Sequence, residues 1–129
     1  FFTGCLDPNL HPYFASIYKM RVSAHCLIKR DGHIVQFVPF DKKAWHAGLS
    51  SFQGVHCCND YSIGIELEGA DHILFTQAQY QSLSVLTKEL MQDYTAITLG
   101  RIVGHNDIAP GRKTDPGIAF NWSQYRQMI

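Results

Sequence analysis

Apolar residues recur at helical spacing in one long stretch of the chain. These positions are Tyr80, Leu83, Leu86, Leu90 and Tyr94. Thr76, followed three residues later by Gln79, has the pattern of a capping box, which marks the start of a helix. The spacing therefore predicts an amphipathic helix that begins after Thr76 and runs to about Asp93.

Two shorter helices are predicted near the ends of the chain. Asp7 is a good N-cap residue and Pro8 suits the first helical position, so we expect a helix from Pro8 to Met20. Near the other end, Asn121 is expected to cap a helix from Trp122 to Met128.

Strand patterns occupy the segments between these helices. Residues 22–29 and 34–38 are rich in β-forming residues and flank the turn 30–32, which predicts a β-hairpin. In residues 62–68 apolar and polar side chains alternate, as in a strand with one buried face. Residues 101–104 are predicted to form a short strand that ends at His105.

A carboxylate lies on the polar face of the strand at residues 62–68. Glu66 follows Gly64 by two positions, so the missing side chain is expected to leave space for substrate or water beside the carboxylate. A solvent-facing acidic strand would have the same pattern. From the residues alone, Glu66 is either a functional carboxylate or a surface residue.

A long segment without periodicity, residues 39–60, contains an aromatic residue next to a histidine. Loops of this length in compact domains are usually functional or disordered. Trp45 and His46 suit one wall of a substrate groove, since they combine an apolar ring with a hydrogen-bonding ring. The alternative is that Trp45 fills a small satellite core.

The segment GHNDIAPGRKTDPG, residues 104–117, carries the most specific chemistry. Its prolines and glycines exclude a long helix or a central strand, so a loop is expected. His105 and Asp115 offer zinc donors. If the chain is extended there, Lys113 lies on the same side as Asp115, where an ammonium would stabilise an oxyanion. Alternatively, the loop is solvated, with Asp115 as a cap and Lys113 facing water.

Composition narrows the classes of function. The 129 residues suit one domain, and eleven basic residues balance eleven acidic ones. This neutrality gives no reason to expect nucleic acid or a membrane surface as partner, and no apolar run is long enough to span a bilayer. The four cysteines have no C-x-x-C spacing, which favours reduced thiols and a cytoplasmic location. Cys26 is expected to be a small buried apolar residue.

Three blocks of sequence together resemble a known family. The blocks are VSAHCLIKRDGHIVQFVPFDKKAWHAG, CNDYSIGIELEG and GHNDIAPGRKTDPG. They are similar to the cytoplasmic AmpD-type N-acetylmuramoyl-L-alanine amidases, which belong to the zinc amidase and peptidoglycan recognition protein superfamily. The resemblance covers nearly all of the chain. It implies an α+β fold, a mixed β-sheet flanked by helices, in a single amidase domain at residues 1–129.

The resemblance also implies roles for particular residues. It makes His105 and Asp115 ligands of Zn²⁺, Glu66 the general base and Lys113 the group that stabilises the oxyanion. Its substrate groove corresponds to Trp45, His46, Arg21 and Arg112.

One part of the family pattern has no counterpart in this sequence. The family's third ligand is a histidine on an early strand, upstream of the position of Phe1. We therefore expect the domain to be N-terminally incomplete. His25 is not expected to substitute, because the family has a histidine there in addition to its ligand. The remaining histidines are expected to be surface residues: His11, His33, His56 and His72.

The sequence thus predicts a zinc-dependent hydrolase of peptidoglycan recycling. Its expected substrate is a muropeptide, cut between N-acetylmuramic acid, in the 1,6-anhydro form, and L-alanine of the stem peptide. We expect a monomer with no nucleic acid or membrane partner. The alternative is a muropeptide-binding module without catalysis, which the incomplete ligand set would favour.

Overall fold

A computed structural model describes residues 5–129 of the chain. Two small sheets and four helices make up its regular structure. The strands are β1 (Cys26–Ile28), β2 (Ile34–Gln36), β3 (Ser51–Phe52), β4 (Val55–His56) and β5 (Ile65–Leu67). The α-helices are α1 (Pro12–Ile17), α2 (Gln77–Asp93), α3 (His105–Ile108) and α4 (Trp122–Met128). Short 3-10 turns lie at Cys58–Asp60 and Leu99–Arg101.

The main sheet is mixed, with the order β2-β1-β5. β1 pairs antiparallel with β2, which confirms the predicted hairpin, and parallel with β5. Glu66 of β5 stands opposite Leu27 of β1. β5 is an edge strand among the described residues, so its outer side faces a cleft of about 1400 Å³. Together with the flanking helices, this is the expected α+β arrangement.

The core lies between the sheet and helices α2 and α4. Its buried members are Ile28, Tyr80, Leu83, Phe120 and Tyr125, with a neighbouring group of Cys26, Leu86 and Leu90. Cys26 is fully buried, as expected, and burial raises the pKa of its thiol to about 11. Ile65 and Leu67 of β5 pack against this core, as their alternation predicts.

Two of the three predicted caps are confirmed. Thr76 and Gln79 form the complete capping box of α2, with the Gln79 amide hydrogen donated to Thr76 Oγ1 at 3.1 Å. Asn121 caps α4 by accepting the Gln124 amide hydrogen at 3.0 Å.

The first helix is shorter than predicted. α1 begins at Pro12, and its N-cap is His11, not Asp7. A residue that precedes proline is pushed out of the helical region, and His11 is indeed extended, with φ −160° and ψ 141°. A helix from Pro8 therefore cannot continue through His11. Asp7 instead accepts the Asn9 amide hydrogen in a turn.

The predicted strand at residues 101–104 is wrong. Arg101 ends a 3-10 turn, and the extended residue Ile102 joins no β-ladder in the described part of the chain. A contact from a distant segment occupies this stretch, since Arg126 of α4 donates to the carbonyl oxygens of Ile102 and Leu99. The Arg126 side chain therefore bonds a carbonyl group that a neighbouring strand would otherwise bond.

Within residues 5–129, no helix combines the length and apolar character needed to cross a membrane.

Candidate active site

The two predicted metal ligands lie side by side. His105 begins α3, and Asp115 lies in the loop that follows, with the His105 Nδ1 and Asp115 Oδ2 atoms 3.0 Å apart. The Asn106 amide donates to the Asp115 carbonyl oxygen at 3.0 Å, which closes the loop on itself. Nine intervening residues thus return the chain to its starting point.

The other ring nitrogen of His105 faces a backbone carbonyl. Its Nε2 atom lies 3.0 Å from the carbonyl oxygen of Ala47, which can only accept a hydrogen bond. A proton on Nε2 satisfies this contact and leaves Nδ1 of a neutral ring without one. A lone pair then faces a carboxylate oxygen, an arrangement that is repulsive unless a proton or a cation lies between the two atoms.

This pair fits a zinc ion by its chemistry. Imidazole nitrogen and carboxylate oxygen are both common zinc donors, and two donors on one tetrahedral zinc are about 3.3 Å apart. A ligand histidine usually donates its other ring hydrogen to a carbonyl or carboxylate, as His105 does to Ala47. Within residues 5–129, no cluster of three histidine, cysteine or acidic side chains is placed to hold an ion.

Glu66 and Lys113 act electrostatically on the same site. Burial raises the pKa of Glu66, and the nearby Asp115 raises it further, while His105 and Lys113 oppose the shift. The pKa of Asp115 is lowered, mainly by its hydrogen bond with His105, although its partial burial opposes this. Asp115, His105 and Lys113 are therefore all close enough to affect the ionisation of Glu66.

The empty space expected beside Gly64 is filled by His46. A Cβ atom added at Gly64 would lie 2.5 Å from His46 Nδ1, so only glycine allows this packing. The His46 ring also contacts the Ser62 carbonyl oxygen at 3.4 Å. Burial is the main reason that the pKa of His46 falls to about 4. The prediction of a vacant pocket at Gly64 was wrong, because a ring from the preceding loop packs there.

Trp45 is a surface platform and not a core residue. Its side chain is 55% exposed, which excludes the satellite-core alternative. The Lys43 ammonium lies 4.0 Å from the centre of the indole ring and forms an ion pair with Asp60. The Lys43 ammonium therefore lies over the Trp45 ring at a distance that favours cation–π attraction.

Arg112 binds the backbone of the loop that precedes the site. Its Nε donates to the Leu49 carbonyl oxygen at 3.0 Å and its Nη2 to that of Ala47 at 2.6 Å. Nη2 also lies 3.3 Å from His105 Nε2. Arg21 is exposed and does not line the cleft into which Glu66 opens.

The amino-acid sequence of this site matches a known family. Residues 1–118 match the model of the N-acetylmuramoyl-L-alanine amidase family. The chain belongs to that family.

Relatives of the amidase support this assignment. This chain is 60% identical over 128 residues to the 1,6-anhydro-N-acetylmuramyl-L-alanine amidase AmpD of Citrobacter freundii. The match covers 99% of this chain and 68% of that protein. The crystal structure of a selenomethionine derivative of AmpD superposes with a TM-score of 0.96 at 60% identity, over 99% of this chain and 71% of the other.

A more distant structure contains a ligand. It is the complex of the N-acetylmuramyl-L-alanine amidase AmiD from E. coli with the substrate anhydro-N-acetylmuramic acid-L-Ala-D-gamma-Glu-L-Lys. The TM-score is 0.78 at 37% identity, with 91% of this amidase and 51% of AmiD covered.

Several residues that shape the amidase site were not predicted. Ala47 contributes through its backbone carbonyl, which no residue type signals. The buried Asn59 accepts the amide hydrogens of His46 and Ala47 at 3.0 and 2.7 Å and so holds this loop in place. An asparagine near a long loop is a weak signal that could have indicated such a role.

The remaining histidines behave as predicted. His25 is buried, and its ring nitrogens contact the Gly64 amide at 3.0 Å and the Lys42 carbonyl oxygen at 2.9 Å. Both nitrogens are thus engaged by backbone groups, and His25 is not a substitute ligand. The exposed histidines are His11, His33, His56 and His72.

Proposed function

We propose that this chain carries the catalytic site of a zinc-dependent amidase of peptidoglycan recycling. The bond cut would join the lactyl group of 1,6-anhydro-N-acetylmuramic acid to L-alanine of the stem peptide. Family membership, the name of the C. freundii relative and the substrate bound to AmiD support this choice. The partner is therefore a small-molecule muropeptide.

One observation carries the proposal most directly. His105 Nδ1 and Asp115 Oδ2 face each other at 3.0 Å, while Ala47 accepts the hydrogen on the other ring nitrogen. A proton or a cation must lie between these two atoms, and both are common zinc donors, which favours a divalent cation. Zinc at this position would supply Lewis acidity, which acidifies water and polarises a carbonyl group.

A third ligand is needed, because catalytic zinc sites normally use three protein donors. We place it on a histidine outside the described residues, as the family resemblance implies. The open side of β5 supports this placement, since Ile65 and Leu67 line a cleft there and the strand has no second neighbour among residues 5–129. A further strand along this edge would pair the backbone and bring a ligand toward Glu66.

Glu66 and Lys113 would divide the proton transfer and the charge stabilisation. Glu66 accepts a proton from the attacking water and later delivers it to the leaving amine of L-alanine. Burial raises the pKa of Glu66 above its ordinary value, which is the direction that suits a group that accepts a proton. The Lys113 ammonium stabilises the oxyanion that forms as the carbonyl is attacked.

Substrate contacts are assigned to the wall of the cleft. Trp45 and His46 both line the cleft that contains Glu66, and the exposed Trp45 ring offers an apolar surface to a sugar. Arg21 and Arg112 stay predicted substrate contacts, and both are exposed. Arg112 has an additional role in holding the Ala47 carbonyl oxygen.

The decisive experiment measures zinc content and hydrolysis on the same purified protein, which must include the third histidine ligand. We expect bound zinc and release of the stem peptide from an anhydro-muropeptide. Glu66→Ala should keep the zinc and lower turnover by a factor on the order of 10² or more. Glu68→Ala, on the same polar face of the strand region but outside the site, is the matched control and should retain activity. Near-normal turnover of Glu66→Ala would remove Glu66 from the mechanism.

The rival function is binding of muropeptide without catalysis. The specific observation in its favour is that residues 5–129 supply only part of a three-ligand site. In that case the chain would bind the muropeptide but hold no zinc and release no peptide. The same two measurements therefore separate the rival from the amidase.

We also infer a reducing compartment, the cytoplasm, and a monomer. Cys26, Cys57 and Cys58 form no disulfide in the described part of the chain, as expected for a reducing compartment.

A further inference from the structure

Thr114 lies between two functional residues of the loop at residues 104–117, which we call the ligand loop. Lys113 precedes it and Asp115 follows it, and the segment has no helical or strand pairing. Lys113 and Asp115 line the cleft that contains Glu66, whereas Thr114 does not. The Thr114 hydroxyl donates a hydrogen bond to a carboxylate oxygen of Asp71.

Asp71 belongs to the segment that leaves the strand carrying Glu66. β5 ends at Leu67, four residues earlier. The backbone of Asp71 also contacts the chain just after the ligand loop, because its carbonyl oxygen accepts the Ala119 amide hydrogen at 3.1 Å. The loop approaches so closely that a Cβ atom added at Gly117 would lie 2.5 Å from the Asp71 carbonyl oxygen. Gly117 has φ +77°, which glycine adopts without strain.

These contacts connect the Glu66 strand with the Lys113–Asp115 segment at two points. The backbone contact through Ala119 fixes the distance between the segments. The Thr114 hydroxyl adds a directional bond that fixes the rotation of the loop about its own axis. Rotation of the backbone at Thr114 would move Lys113 and Asp115, since both are its direct neighbours in the chain.

We propose that Asp71 and Thr114 form a positioning pair that holds Asp115 and Lys113 in the orientation needed opposite Glu66. Thr114 does not line the cleft that contains Glu66, whereas Asp71 lies at its edge, and neither is assigned to the metal or to proton transfer. The inference rests on the proposed amidase function, because the orientation matters only if Asp115 binds a metal and Lys113 faces the oxyanion. Hydrogen bonds that orient ligand carboxylates commonly change metal affinity or activity by about 10- to 100-fold.

The test compares two substitutions of similar size at Thr114. Thr114→Val keeps the branched shape but removes the hydroxyl, whereas Thr114→Ser keeps the hydroxyl. Affinity for Co²⁺, measured by absorption titration of the full chain, should fall about tenfold in Thr114→Val and stay within about twofold of wild type in Thr114→Ser. In the zinc-loaded protein, kcat should fall with KM nearly unchanged, because Thr114 does not contact substrate.

Asp71→Ala supplies the second arm. It should lower Co²⁺ affinity about as much as Thr114→Val, and the double variant should be no worse than either single variant, because both remove the same bond. Thermal unfolding of the metal-free variants should match wild type within about 2 °C, since Thr114 is exposed and Asp71 is partly exposed.

Two outcomes overturn the inference separately from the proposed function. If wild type binds Co²⁺ and hydrolyses the muropeptide while Thr114→Val does both equally well, the pair has no positioning role and the amidase function stands. Additive losses in the double variant would also contradict a shared bond. If wild type itself neither binds Co²⁺ nor hydrolyses the muropeptide, the proposed function fails and this inference fails with it.

Discussion

Gly64 is a position where a single added carbon should disturb the site through packing alone. In Gly64→Ala the new Cβ atom would lie 2.5 Å from His46 Nδ1 and 2.7 Å from its Cδ2. Carbon contacts are normally about 3.5–4.0 Å, so the strand and the ring must separate by roughly 1 Å. Gly64 has no positive φ, so this cost comes from packing and not from the backbone conformation.

Neither partner is free to move by that amount. The Gly64 amide donates to His25 Nδ1 at 3.0 Å, and the Gly64 carbonyl oxygen accepts the His25 amide hydrogen at 3.0 Å. On the other side, the His46 amide is bonded to Asn59, and its ring contacts Ser62. Overpacking usually costs 1–3 kcal/mol, and restraint on both sides suggests about 3 kcal/mol, or a Tm lowered by roughly 10 °C.

Urea denaturation of Gly64→Ala and of a matched variant tests this reasoning. Gly100→Ala is the control, because a Cβ atom there meets nothing within 4 Å and Gly100 has no positive φ. It should change stability by less than about 0.5 kcal/mol. A double-mutant cycle with His46→Ala should return about 2 kcal/mol of coupling, since removal of the ring relieves the overlap. Additive effects, or a Gly64→Ala variant as stable as the control, would refute the argument.

Three further predictions concern pH, thiols and a helix cap. His46 has its pKa lowered from 6.5 to about 4, so the unfolded chain binds a proton that the folded chain does not; stability should fall as pH drops from 6.5 toward 4, and His46→Gln should flatten that slope in urea titrations. At pH 8 a thiol reagent should modify the exposed Cys57 well before the buried Cys26, whose pKa is about 11, and equal rates would contradict this burial. Thr76→Ala should cost about 1–2 kcal/mol in denaturation, whereas Thr98→Ala, at a turn without a side-chain cap, should cost much less.

The elements that were predicted correctly depend on neighbours in sequence. The α2 capping box needs Thr76 and Gln79, three positions apart, and the hairpin needs two β-forming runs around one turn. Where prediction failed, a distant contact decided the structure. Arg126 binds the Ile102 carbonyl oxygen from 24 residues away, and no pattern within residues 101–104 contains that information.

In the candidate site too, the sequence predicts some features, and contacts between distant segments decide the others. Residue types identify His105, Asp115, Lys113 and Glu66 as chemically capable groups, and the resemblance to a family assigns them roles. Their environment comes from contacts between remote segments, such as the approach of His46 to Gly64 across the sheet end. An absent side chain predicts space, but it does not say which group will fill it.

The hydrogen-bond partner of His105 Nε2 is a feature of the site that could not be predicted from the sequence. The atom that selects its tautomer is the carbonyl oxygen of Ala47, which lies 58 residues away along the chain. Any amino acid at position 47 would have a carbonyl group, so the identity of that residue carries no information about the contact. Two hydrogen bonds position this oxygen. The Ala47 amide donates to the Asn59 side-chain oxygen, and the Arg112 guanidinium donates to the Ala47 carbonyl oxygen itself. The availability of His105 Nδ1 for a metal is therefore a property of the folded loop, and substitution of Asn59 should alter it without changing a single ligand.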